Sequence, residues 1–125
     1  MVQPDIVQAG GILELKKIGA MAEAHYVGIQ PHNPYGPICT AAALQLDACT
    51  PNFMIQEGGL QPWFQDATSG MAPVQKDGFF DLPELPGLGV DMDEEWLALN
   101  PWDPKGAVWR AGDGEMGSLQ QTYWS

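Results

Sequence analysis

Residues 1–57 read MVQPDIVQAGGILELKKIGAMAEAHYVGIQPHNPYGPICTAAALQLDACTPNFMIQE. Three short apolar or extended stretches, residues 1–3, 26–30 and 52–55, each run into a polar residue: Asp5, His32 and Glu57. These residues stand 27 and 25 positions apart, and one strand–helix–strand unit takes roughly 30 residues. The intervals carry helical patterns. Ile12, Leu15, Ile18, Met21 and Ala22 recur at spacings of three and four, which predicts a helix ending near His25 with these five on its apolar face. Residues 38–48 are rich in Ala and Leu, with Pro37 suited to a first helical turn and Thr50-Pro51 to a stop. The order β-α-β-α-β implies an α/β fold with a parallel sheet and right-handed crossovers. Asp5, His32 and Glu57 then share the carboxyl-terminal rim of that sheet, where α/β folds place their ligands.

A carboxylate, an imidazole and a second carboxylate on neighbouring strands suit proton transfer. Adjacent strands lie about 4.8 Å apart, so Asp5 can hydrogen-bond one ring nitrogen of His32 and aim the other into the site. Glu57, one unit further on, can hydrogen-bond a substrate oxygen. The plainer alternatives are that Asp5 caps the following loop, as Asp often does, and that Glu57 lies exposed on a loop. The sequence contains no G-x-S-x-G elbow and no G-x-x-x-x-G-K-[ST] loop. Ala9-Gly10-Gly11 reads as a hinge into the first helix.

After Gly59 the texture changes. Residues 60–78 read as loop, and residues 78–89 (GFFDLPELPGLG) are dense in Pro and Gly and read as irregular. Residues 93–99 suit a short helix with acidic residues in its first turn, stopped by Pro101. Four of the five Trp fall in residues 96–125, so this tail is expected to dock on a surface. The division is residues 1–62 for strands and helices and 63–125 for a loop-rich segment.

Five Lys and Arg against 16 Asp and Glu give a net charge of −11. Such a chain repels phosphate backbones and anionic lipid surfaces, so neither nucleic acid nor membrane is an expected partner. Cys39 and Cys49 show no zinc spacing. Both are expected inside the second helix, about 15 Å apart along its axis, too far for a mutual disulfide. Free cysteines, no 18-residue apolar stretch and no basic-then-apolar leader point to the cytoplasm.

The motifs QPD with GGI, PHNPYGP and NFMIQE together resemble the mandelate racemase and muconate lactonizing branch of the enolase superfamily. Among its members the likeness is greatest to sugar-acid dehydratases of the galactonate dehydratase type. It continues through DGFFDLPELPGLGVDMDEEW and VWRAGDG, and so covers nearly the whole chain. It implies the C-terminal β-α-β-α-β portion of a modified β/α barrel, with residues 63–125 packing on barrel and capping domain. It assigns Asp5 and His32 as a catalytic dyad, with His32 moving a proton beside the substrate carboxylate. Glu57 would hydrogen-bond that carboxylate as it becomes an enediolate. Magnesium stabilises the same intermediate in the family, and its acidic ligands are absent from this chain. A dehydratase would then eliminate the 3-hydroxyl as water to give a 2-keto-3-deoxy acid. Such a barrel takes about 250 residues, so the chain is expected to be a C-terminal piece of a longer homo-oligomeric enzyme and inactive by itself. Ile29, Phe53 and Met54 are expected to face the barrel interior. A racemase or cycloisomerase of the same branch, or a non-catalytic remnant, are the alternatives.

Overall fold

The computed structural model describes residues 1–58, 62–70 and 72–101. Helix α1 (Ile12–Ala24) and helix α2 (Pro37–Asp47) lie between three extended runs that pair in parallel through single ladder contacts, Val2 with Ile29, Ile29 with Phe53, and Asp5 with His32. The Ile29 amide donates to the Asn52 carbonyl at 2.9 Å, and its carbonyl accepts from the Met54 amide at 3.0 Å. On the other side the Val2 amide donates to the Gly28 carbonyl at 2.9 Å and the Gln30 amide to the Val2 carbonyl at 3.0 Å, so the run through Ile29 is the centre of this parallel layer.

The runs are shorter than the sequence predicts. Tyr26 does not belong to a strand: it takes φ 56 and is wholly exposed, because the chain must turn sharply out of α1. Entry into α1 needs left-handed backbone at two successive positions, Gly10 (φ 101) and Gly11 (φ 95), which glycine supplies without steric cost.

Between the helices and the extended runs lies the core. Ile6, Leu15, Cys39 and Leu46 form a buried cluster, with Ala9, Ile18, Tyr35 and Ala42 packed against it. On α1 the buried line is Leu15, Gly19 and Ala22. Ile12 and Met21, expected on that face, are exposed. At 100° per residue Met21 falls roughly 110° from the Leu15–Ala22 line, outside the contact stripe. Gly19 lets the helix approach closely: a side chain there would meet Ile29 and Thr50. Asn52 fastens the same contact, its amide donating to the carbonyls of Gly19 at 3.1 Å and Val27 at 2.8 Å.

Ile29 therefore faces α1 and is fully buried, not the opposite side of the layer. Paired residues share a face, so Phe53 goes with it. Met54 lies on the other face, against Gly28, and is 62% exposed. Of the three residues expected to face the barrel interior, only Met54 lies on the face turned away from α1.

Past residue 61 the described residues form a 3-10 turn, Pro62–Phe64, and four short strands: β1 (Thr68–Gly70), β2 (Gln75–Lys76), β3 (Phe79–Phe80) and β4 (Val90–Met92). β1 pairs antiparallel with β4, and β2 with β3. The stretches read from sequence as loop and irregular thus contain two small ladders. Helix α3 (Glu94–Leu99) forms as expected, capped by Asp93, whose carboxylate accepts the Trp96 amide at 2.8 Å. Trp96 stacks on Trp63 with ring centroids 5.7 Å apart. Gln45 of α2 reaches the Pro83 carbonyl at 3.1 Å, tying the two halves together. Cys39 is buried in α2, but Cys49 lies beyond the helix end and is exposed, since α2 stops at Asp47 before Thr50-Pro51. The tryptophan-rich tail from Trp102 onward lies outside the described residues.

Asp47, the last residue of α2, has both carboxylate oxygens buried without a hydrogen-bond partner among the described residues. Burial pushes its pKa up to about 7. A buried carboxyl with a raised folded-state pKa holds its proton more tightly than in the unfolded chain, whose value is near 4. Stability is therefore highest below about pH 4 for this group and falls as pH rises toward 7. In urea titrations across that range, Asp47→Asn is expected to flatten the decline and leave the variant more stable than the parent at pH 8. A second set of unfolding curves separates the two faces of the layer. Leu15→Ala is expected to cost about 3 kcal/mol as a core truncation, and Met54→Ala, on the open face, under about 1 kcal/mol.

Candidate proton-transfer site

Asp5 ends the first extended run at the start of a tight turn. Its Oδ1 accepts the amides of Val7 at 2.8 Å and Gln8 at 3.0 Å, a local pattern that Asp favours. Its Oδ2 lies 2.9 Å from His32 Nδ1. Asp5 and His32 are also paired through the backbone, where the His32 amide donates to the Pro4 carbonyl at 3.0 Å. Burial alone would raise the Asp5 carboxyl. The Gln8 amide, the His32 ring, the Val7 amide and the Tyr35 hydroxyl together outweigh it and hold the pKa below its ordinary value. The carboxylate therefore stays charged, and the proton of a neutral His32 is drawn to Nδ1. Nε2 is left with its lone pair, directed away from Asp5.

On that side stands Glu57, with Oε2 3.9 Å from His32 Nε2. Glu57 is fixed by the Asn33 amide, which donates to Oε2 at 2.9 Å. Asn33 is fully buried, and its side-chain amide donates to Thr40 Oγ1 at 2.9 Å. The rigid turn after His32 thus holds both partners: one peptide bond carries the imidazole, and the next amide grips the second carboxylate. The three side chains predicted from spacing come together at one rim. Asp5 is 9% exposed, and His32 and Glu57 are 42% and 41% exposed, so the ring is supported from below and open above.

Three further residues of this site escape the spacing argument. Asn33 and Tyr35 sit within HNPYGP, where two prolines and a glycine signal a rigid turn but not which side chains turn inward. Gln8 lies in the loop that Asp5 caps, and its Nε2 donates to the Tyr35 hydroxyl at 2.9 Å. The signal in the sequence is local: polar residues one or three positions after Asp5 and His32.

Cys39 lies near Asp5 and takes no part in proton transfer at neutral pH. Burial, and next the Asp5 charge, push its thiol up to about 12. An apolar groove of about 460 Å³ lies beside the rim, lined by Ile6, Val7, Pro37, Ile38 and Trp63 among others. Its lining includes none of Asp5, His32 and Glu57. Among the described residues no three His, Cys, Asp or Glu side chains gather as a metal site. Asp5 already spends its oxygens on two amides and a ring, and Glu57 Oε2 on an amide. These residues do not fit a magnesium ion. No helix of the described residues is long and apolar enough to cross a membrane.

The model of a family described as enolase C-terminal domain-like matches residues 1–96. A D-galactonate dehydratase of Xanthomonas axonopodis pv. citri is 43% identical over 127 residues, covering 93% of this chain and 33% of its own length. A D-galactonate dehydratase of Variovorax paradoxus is 40% identical over the same share of each chain. Among solved structures, a mandelate racemase/muconate lactonizing enzyme from Jannaschia superimposes with TM-score 0.78 at 29% identity, over 94% of this chain and 28% of that one. An enolase of the mandelate racemase subgroup from Agrobacterium tumefaciens gives TM-score 0.72 at 32% identity, over 79% and 27%. The chain spans about a third of the length of the curated relatives it matches.

Replacing Asp5 by asparagine tests the support of the ring. The introduced amide can still accept from Val7 and Gln8, but it turns an NH₂ group toward His32 Nδ1. Nitrogen chemical shifts of neutral His32 are expected to show the proton moved from Nδ1 to Nε2 in Asp5→Asn. The depressed carboxyl adds stability that is complete above its ordinary value near 3.8 and is lost as pH falls through its lower folded value. That acid limb is expected to be absent from the unfolding profile of the same variant.

Proposed function

The chain belongs to the enolase C-terminal domain-like family, and from that premise we propose that it forms the proton-transfer portion of a sugar-acid dehydratase of the galactonate type. The observation that carries the proposal is the Asp5 Oδ2–His32 Nδ1 hydrogen bond with Glu57 standing across Nε2. The D-galactonate dehydratases at 40–43% identity support the substrate class. Because the chain covers a third of their length, the reaction belongs to a longer enzyme that includes this segment.

In this reading His32 acts as the base. Asp5 holds the imidazole with its proton on Nδ1, so Nε2 takes the proton on the carbon next to the substrate carboxylate. As that carbon gives up its proton, charge passes onto the carboxylate oxygens, and Glu57 hydrogen-bonds them. Asn33 sets where Glu57 can stand by fixing Oε2. The 3-hydroxyl then leaves as water, taking up the proton that His32 removed, and the resulting enol ketonises to a 2-keto-3-deoxy acid. Magnesium supplies charge stabilisation in the superfamily. The described residues do not fit it, and no step here runs through it.

A chimera decides the matter: residues 1–125 replace the matching third of the Xanthomonas D-galactonate dehydratase. The chimera is expected to dehydrate a sugar acid, read as 2-keto acid formation. His32→Asn in that background is expected to lower kcat by about 10³-fold, in the range of general base loss, with exchange of the carbon-bound proton into deuterated water lost in parallel. A folded chimera inert toward every sugar acid tried, or one indifferent to His32→Asn, would reject the reading.

A further inference from the structure

We propose that Gln56 is a positioning residue for the proton-transfer site: its side-chain amide takes the place of ladder bonds that Pro31 interrupts, and so holds the Glu57 end of the third extended run against the His32 end of the second.

In a parallel pair, every second residue of one strand both donates to and accepts from the strand beside it. Ile29 does both, with the Asn52 carbonyl and the Met54 amide. Two residues on, the register asks residue 31 to donate to the Met54 carbonyl and to accept from the Gln56 amide. Residue 31 is proline and has no N–H. Its carbonyl accepts no backbone amide among the described residues. Backbone pairing between these runs therefore stops at Ile29 and Met54, short of both His32 and Glu57.

The Gln56 side chain enters where the ladder ends. Its Nε2 donates to the Pro31 carbonyl at 3.4 Å and to the Glu57 carbonyl at 2.6 Å. A side-chain amide nitrogen has two protons, one for each carbonyl. Turning the amide over would set Oε1 against the same two carbonyl oxygens, so these acceptors fix its orientation. Oε1 is buried without a partner among the described residues. An unpaired buried acceptor costs free energy, and here that cost attaches to the orientation that bridges the runs.

On the other side of His32 the pairing recovers. Pro4 also lacks an N–H, yet the next rung forms, with the His32 amide donating to the Pro4 carbonyl at 3.0 Å. The His32 end is thus tied by backbone to the run that bears Asp5. Past Ile29, the bonds that join it to the run bearing Glu57 all involve a side chain among the described residues: the Gln56 bridge, and the Asn33 amide on Glu57 Oε2 at 2.9 Å. Gln56 sets the Glu57 backbone, and Asn33 sets its carboxylate. The part this plays in catalysis rests on the proposed dehydratase reading; the bridge itself does not.

The bond to read is one that Gln56 does not make, from the Asn33 amide to Glu57. In the 125-residue chain, NMR gives the exchange rate and proton shift of that amide, and Glu57→Gln marks where the shift goes once the charged acceptor is lost. Gln56→Met nearly keeps the length of the side chain and removes its donor. It is expected to speed exchange of the Asn33 amide about tenfold, roughly the loss of one hydrogen bond, and to move its shift toward the Glu57→Gln position. The Ile29 and Met54 amides, in the surviving ladder, are expected to exchange as before. An Asn33 amide unchanged in rate and shift overturns the proposal. So does a rise shared equally by Ile29 and Met54, which would make Gln56 a stabiliser of the whole layer. Should Gln56→Met fail to fold, Gln56→Glu, which has no donor when ionised, is read against the same outcomes. In the dehydratase chimera, Gln56→Met is expected to lower kcat about tenfold with KM within about twofold, because the Glu57 bond strengthens as charge reaches the carboxylate. An inert chimera with a responding Asn33 amide rejects the dehydratase and keeps the bridge. An active chimera whose kcat ignores Gln56→Met overturns the positioning role and leaves the dehydratase standing.

Discussion

The two oxygens of Asp5 hold the site together by doing different things. Oδ1 gathers the Val7 and Gln8 amides and so shapes the turn that leads into α1; Oδ2 holds the His32 ring. A side chain with a single acceptor could do one or the other. Local folding and the orientation of the imidazole therefore depend on the same group, and the loop cannot loosen without releasing the ring. Leu15 of α1 packs with Ile6 of this turn in the buried cluster. Core packing, turn and site form one continuous structure.

Glu57 is held in a contrasting way. Its Oε2 takes its position from the Asn33 amide, and the Asn33 side chain is anchored on Thr40 of α2. The second carboxylate is thus set by the helix after His32, and the first by the loop before α1. Between them the imidazole has one firm partner at 2.9 Å and one looser one at 3.9 Å. That asymmetry suits a group that must carry a proton on one nitrogen and exchange it on the other.

Spacing in the sequence was enough to bring Asp5, His32 and Glu57 to one rim, because a strand–helix unit has nearly constant length and every such unit ends on the same edge. The capping reading of Asp5 was legible too, and the structure combines it with the ring contact instead of choosing between them. What could not be read is what single residues decide. Met21 and Ile12 match the helical spacing, yet only a contact with Gly19 at its centre says which part of the stripe is covered. Ile29 and Met54 look alike in sequence and lie on opposite faces, since a parity of two requires knowing the register first. The ladders at β1–β4 and β2–β3 are two or three residues long, too short for any period to show. Gln8 and Tyr35 meet across 27 positions, a pairing that no local pattern announces.

The two faces of the parallel layer differ in one more respect. Ile29 is a hydrocarbon sealed against α1; Met54 is a thioether lying over bare Gly28 with most of its surface in water. Peroxide can reach the sulfur and turn it into a polar, chiral sulfoxide. With no side chain on Gly28 to crowd it, the enlarged group has room to lift away, while the packing that holds the layer to α1 lies on the far side. Chemical ageing would therefore mark one surface of this chain long before it loosened the other.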